Sequence, residues 1–235
     1  LNLVHRFFGI FFNPKVTLSA ISQKPIWIDV LVILLITTSL FSYLIMPSSS
    51  QDRAQILKDN IKLKERIGEE RLKQRIEELE NPSPTFRVVS SFILTPLSVA
   101  IGFLISSFFI LIIGRFFSIE GKYIQVFSAY LHANLVDKVL GNLIRLILIL
   151  AQKSVMQTTT SFALLFPAVE MTSIKYVILS QIDFFQIWLF LILGFGLSEI
   201  LRLEIKKALY VSYLFWLLKT LFYMSLGILG LRLMS

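Results

Sequence analysis

The chain has 235 residues, of which 55% are hydrophobic and 16% charged, with a mean hydropathy of +0.74. Soluble domains carry roughly 45–50% apolar and about 25% charged residues, and the apolar runs here are too long for ordinary buried helices, which excludes a soluble protein with a greasy core. The net charge of +8 never gathers into a basic stripe with exposed aromatics, which points away from nucleic acid and towards anionic lipid head groups; with no cysteine and only His5 and His132, disulfides, thiolate chemistry and a histidine metal cluster are excluded, and no cofactor is expected.

Leu3 to Phe12 is too short to span a membrane but apolar enough to lie in its interface, and Pro14 ends it, so residues 1–25 read as an N-terminal interfacial helix that stays as an anchor. Ile26 to Met46 is the first span, closed by Pro47 and Ser48 to Ser50. Asp29, one turn inside it, reads as a carboxylate at head-group depth favoured by the helix N-terminus. Composition then changes sharply. Residues 51–87 form a charged extramembrane insertion in which Gln51 to Glu80 carries two apolar stripes, Ile56, Leu63 and Ile67, then Leu72, Ile76 and Leu79, out of phase around Gly68. That pattern predicts two short amphipathic helices or one bent helix, serving as a partner-docking arm or as a solvated cap. Glu69 and Lys73 have the spacing of a surface pair.

Val88 to Ile113 is the second span. Pro96 predicts a kink near Phe92, and Gly102 with Ser106 has the small-residue spacing that lets helices approach closely. Ile124 to Leu150, the third span, is the least hydrophobic. Asn134, Lys138, Gly141, Asn142 and Arg145 fall on one face of an α-helix, flanked by Asp137. A polar stripe is expensive in lipid, so this face is expected to look into the bundle, a cleft or another subunit; Asp137 could reach Arg145 only across two turns or through water. Ala151 to Ile182 reads as a loop with an interfacial or re-entrant piece.

Phe184 to Leu201 and Ala208 to Leu231 form a final membrane hairpin around Arg202, Glu204, Lys206 and Lys207, since about 20 apolar residues at 1.5 Å each match a hydrocarbon core of about 30 Å. Gly194 and Ser198 repeat the small-residue spacing. Gly194-Phe195-Gly196 has neither the preceding strand nor the following lysine of a phosphate loop. Lys219, inside the last span, requires a partner, with Glu199 and Asp137 as candidates.

The Ile187-Trp188 pair after Asp183, the GFGL of Gly194 to Leu197, the basic turn with Lys207-Ala208, and Trp216 resemble the C-terminal half of bacterial members of the Yip family, the Ypt-interacting-protein domain proteins. Asn13-Pro14, Thr17-Leu18, Pro25 and Trp27 resemble that family's N-terminal signature. The resemblance implies an all-α, five-helix polytopic membrane bundle in residues 26–235, with no known catalytic residue and a cytoplasmic N-terminus. That places the insertion outside and the loops at Arg115 to Lys122 and Arg202 to Lys207 inside. The nine Lys and Arg residues from Arg53 to Arg87 pull the other way. It also implies a non-enzymatic scaffold or adaptor in a bacterial inner membrane, associating with the bilayer and with itself or other membrane proteins, such as an ABC-transporter assembly. The long cytosolic tail and Asp-Leu-Tyr-Gly-Pro motif of the eukaryotic branch are missing, which speaks against Rab-type GTPase binding. The alternative is a transport or lipid-handling subunit using the polar face of the third span. No Gly-x-Ser-x-Gly, His-Glu-x-x-His or paired intramembrane aspartates suggest catalysis.

Overall fold

The computed structural model describes residues 1–59, 64, 66, 68–155, 160–170 and 172–234. The described residues are helical almost throughout: α1 (Leu3–Phe12), α2 (Pro14–Gln23), α3 (Ile28–Lys58), α4 (Glu69–Glu80), α5 (Pro84–Arg115), α6 (Tyr123–Leu135, continuing through a π turn at Val136–Gly141 into Asn142–Gln152), α7 (Ile174–Ser180), α8 (Phe184–Leu201) and α9 (Ile205–Met234). Four of these, α3, α5, α8 and α9, are long and apolar enough to cross a membrane. The chain is a polytopic helical membrane protein. It divides into two compact units, one of Leu1–Ser39, Thr95–Asn142 and Phe185–Lys219, the other of Leu40–Leu94, Leu143–Phe184 and Thr220–Ser235.

In the first unit α6 is the central element. Every residue from Val126 to Asp137 is buried, so this stretch has no lipid-facing side, and its low hydropathy follows from enclosure by protein. Ile10 of α1, Leu18 and Ile21 of α2, Val30 and Leu34 of α3, Phe103 and Ile110 of α5, and Leu189, Phe190 and Leu193 of α8 share its core. Tyr130 meets Phe103 edge-on at 6.0 Å and Phe215 at 6.4 Å between centroids. At Gly196 an added Cβ would lie 3.2 Å from that of Ala129 and 3.5 Å from Leu18.

The N-terminal segment is more than the interfacial helix expected. Asn2 Oδ1 accepts the His5 N–H at 2.9 Å to cap α1, and Pro14 opens α2 where its missing N–H has no consequence. Ile10 and Leu18 are then fully buried in the core, while Val4, Phe8 and Phe12 remain exposed. One face of the segment belongs to the bundle, and only the other is left for the membrane interface.

The second unit corrects the first span. Its helix does not stop at Met46; α3 runs through Pro47 to Lys58. Proline at this position removes the N–H that would bond the Tyr43 carbonyl one turn earlier. Arg87 supplies the replacement: its Nη2 donates to Tyr43 O at 3.0 Å, and its guanidinium carbon lies 4.0 Å from the centre of the Tyr43 ring. A π turn at Ser90–Leu94, just before Pro96, occupies the place where a kink near Phe92 is expected. Of the insertion, Gln51 to Lys58 prolongs α3 and Glu69 to Glu80 forms the separate α4, which opens after Gly68 at φ +86°. Ser83 caps the start of α5 through the Phe86 N–H at 3.1 Å, with Pro84 in the first turn. Between α6 and α8 lie a short 3-10 turn at Phe162–Leu165 and α7, in keeping with a loop and a short apolar piece.

Candidate functional site

In the first unit, three ionisable side chains from three helices meet, two of them buried and the third, Asp29, partly exposed. Arg6 of α1, only 4% exposed, forms an ion pair with Asp29 of α3 through Nη2 and Oδ2. Its Nη1 lies 3.3 Å from Asp29 Oδ1, 3.4 Å from Ile26 O and 3.0 Å from Nε2 of the fully buried His132. A guanidinium can only donate, so His132 Nε2 accepts and its Nδ1 carries the proton, which it gives to Ser128 O at 2.7 Å. Ser128 Oγ in turn donates to Ile26 O at 2.9 Å. Asp29 also accepts the Val30 N–H at 2.8 Å, as a first-turn carboxylate should. The network joins α1, α3 and α6.

Sequence reasoning placed Asp29 at the helix N-terminus correctly but missed its partners. The available signal was a single charge in each apolar stretch, Arg6 in α1 and Asp29 in α3, of opposite sign, because an intramembrane charge persists only with a partner.

The polar residues of the third span do not act as one surface. The π turn adds a residue to the helical repeat, advancing the helix by about 100°, so α-helical spacings counted across it no longer report a shared face. Before it, Asn134 is buried and donates to its own helix at Tyr130 O, 2.8 Å. Within it, Asp137, 1% exposed, pairs at 3.0 Å with the adjacent Lys138, whose side chain is 30% exposed. Asn142, at its end, is buried. Arg145 is held by the 160–183 segment. In the second unit its Nη2 lies 2.9 Å from Asp183 Oδ1 and its Nε 2.9 Å from Thr160 Oγ1, while Thr160 donates to Asp183 Oδ2 at 2.5 Å. An isolated bridge between Ser161 and Asp183 adds backbone support. The result is a clasp that closes the 160–183 segment at its two ends.

Lys219 pairs with neither Glu199 nor Asp137. It donates to Gln186 Oε1 at 2.8 Å and sits 5.4 Å over the Phe190 ring, whereas Glu199 accepts from Ser19 at 3.3 Å. Among the small residues, Gly194 is in close contact with Leu209, as the hairpin reading requires, and Ser198 Oγ donates to Leu203 O at 2.7 Å. Gly102 is exposed, with nothing within 4 Å of an added Cβ, and Ser106 is half-buried, so this pair makes no close helix contact within the described chain.

In the insertion, Leu72 is buried and Ile56, Ile76 and Leu79 are half-buried; Leu63 and Ile67 lie outside the described residues. Glu69 bonds Lys64 at 3.1 Å rather than following its spacing to Lys73, and Lys58 joins α3 to α4 through Glu80 at 2.5 Å. Asp52 accepts from Val155 N at 2.7 Å and Ser154 Oγ at 3.2 Å. Burial, and then the Asp52 charge, push the Tyr176 phenol on α7 above its ordinary pKa. Among the described residues no three His, Cys, Asp or Glu side chains come together as a metal site.

The family model of the Yip1 domain matches residues 8–227. No curated protein and no solved structure matches the chain significantly.

Proposed function

Because the chain belongs to the Yip1 domain family, whose members are generally non-catalytic proteins of membrane trafficking, we propose that it works as a membrane scaffold or adaptor that assembles with other membrane proteins. The observation that carries this reading is the use made of intramembrane charge. Arg6 with Asp29 and Lys219 with Gln186 each join two helices, Arg145 with Asp183 closes the 160–183 segment, and Asp137 pairs with the adjacent Lys138, so these charges are engaged within the chain. The exposed side of α4, tied to α3 by Lys58 and Glu80, is the surface offered to a partner. A transporter assembly in a bacterial inner membrane is the proposed setting, with the N-terminus and the Arg115 to Lys122 and Arg202 to Lys207 loops in the cytosol.

The test is gentle extraction of the tagged protein and mass spectrometry of what copurifies. A parallel run replaces Glu69 to Glu80 by a polar linker, leaving α3 intact. A stoichiometric partner lost with α4 supports the adaptor. Recovery of the protein alone in both runs refutes it.

A transport or lipid-handling role has one observation in its favour, the buried Asn134, Asp137 and Asn142 around the π turn beside the partly exposed Lys138. It predicts that Lys138→Leu abolishes function at unchanged folded amount. Loss of folded protein in that variant refutes it.

A further inference from the structure

One end of the first unit carries charge and apolar side chains on a single surface. Arg115 closes α5, Lys122 precedes α6, and the turn between α8 and α9 bears Arg202, Lys206 and Lys207, all five of them exposed. The two loops hold each other. Ser118 Oγ donates to Leu201 O at 2.6 Å, Glu120 lies 4.0 Å from Arg202, and Gly121, at φ +89°, packs so closely that a Cβ there would come within 2.8 Å of Ile200.

Each loop is also fixed internally. Arg115 donates to the carbonyls of Ile119, Glu120 (2.7 Å) and Gly121 (2.6 Å). Arg202 takes a left-handed conformation at φ 51°, and the Leu203 N–H returns to Ser198 O at 3.1 Å, a Schellman-type end to α8. Glu120 and Glu204 compensate only part of the positive charge. From this basic rim the 116–121 loop raises Phe116, 82% exposed, and Ile119, 90% exposed. Exposed apolar side chains on a loop that packs against a basic turn match the boundary between acyl chains and anionic head groups, which rewards both kinds of contact together.

We propose that this surface binds the anionic phospholipids of its leaflet, with Lys122, Lys206 and Lys207 at the phosphates and Phe116 and Ile119 entering the acyl boundary. The inference is independent of the adaptor reading, since it needs no protein partner.

The test uses the full chain in neutral detergent, titrated with phosphatidylglycerol or phosphatidylcholine, with retained lipid counted by native mass spectrometry. The expected preference for phosphatidylglycerol is about tenfold, equivalent to about 1.4 kcal/mol. K122Q/K206Q/K207Q is expected to lose most of that preference, while R71Q/K73Q/R75Q on α4, which removes the same charge elsewhere, is expected to keep it. F116S/I119S is expected to lower retention of both lipids several-fold, and millimolar inorganic phosphate should not displace phosphatidylglycerol. Equal retention of the two lipids by the unaltered chain overturns the proposal. So does an equal loss in the α4 variant, which would make net charge the sole cause. Displacement by phosphate together with an inert F116S/I119S would mean a soluble-anion site in place of a lipid surface, and also overturns it. If K122Q/K206Q/K207Q elutes as aggregate, K206Q/K207Q is judged by the same criteria.

Discussion

The Tyr43–Pro47–Arg87 arrangement makes a quantitative prediction. Pro47 leaves Tyr43 O without its helical donor, and Arg87 Nη2 fills the vacancy at 3.0 Å while stacking over the Tyr43 ring. Arg87→Leu removes a charged hydrogen bond worth about 1.5–3 kcal/mol and a cation–π contact worth about 0.5–1 kcal/mol, so a loss of about 2–4 kcal/mol is expected. In a Pro47→Ala background the alanine N–H is positioned to bond Tyr43 O, and losing the arginine then removes chiefly the ring contact. The ring contact is lost in both backgrounds and cancels in the cycle. The coupling that remains is about 1.5 kcal/mol, with Arg87→Leu milder when Pro47 is gone. The assay is denaturant unfolding of all four proteins, full-length in detergent micelles, followed through tryptophan fluorescence. If Arg87→Leu costs the same in both backgrounds to within about 0.5 kcal/mol, Arg87 is not serving the carbonyl freed by proline, and the reasoning fails.

Other expectations concern the buried charges, the glycines and the orientation. Asp29→Asn leaves Arg6, 4% exposed, without its counter-ion and is expected to destabilise by about 3 kcal/mol, whereas Arg6→Leu leaves only the more accessible carboxylate and should cost distinctly less; equal losses on unfolding would contradict the network. Gly194→Ala forces Leu209 to move and is expected to cost about 1–3 kcal/mol, while Gly102→Ala, in open space, should be neutral or stabilising by up to about 1 kcal/mol in a thermal scan of the pair. Because the sequence contains no cysteine, Glu70→Cys and Glu204→Cys can be labelled singly in sealed vesicles; reaction from opposite sides is expected, and labelling from one side for both would contradict the odd number of crossings proposed between them.

The helical, membrane-embedded character was legible because it rests on run length, which needs no knowledge of neighbours. The final hairpin was legible for the same reason, and within it Gly194 lies against Leu209. Its neighbour Gly196 was missed because small-residue spacing shows where close approach is allowed, not which helix arrives. Pro47 was read as a stop because local rules treat its lost hydrogen bond as uncompensated, and Arg87, 40 residues away, compensates it. The polar face from Asn134 to Arg145 was derived from an α-helical repeat that the π turn interrupts, and nothing in composition marks a π turn. Arg6, Asp29 and His132 lie far apart in sequence, so only the tertiary fold could show that they share one set of hydrogen bonds.

The enclosure of α6 has a consequence for biogenesis. A segment carrying Asp137, Lys138 and Arg145 has little tendency to leave the translocon sideways into lipid, where each central charge costs about 2.5–3.5 kcal/mol on the insertion scale. Its cover includes Phe190, Leu193 and Gly196, which the ribosome makes roughly sixty residues after Ala129. Nascent chains ending before α8 should therefore hold α6 incompletely shielded and be cleared by membrane proteases, so that stable accumulation begins only once α8 has been synthesised.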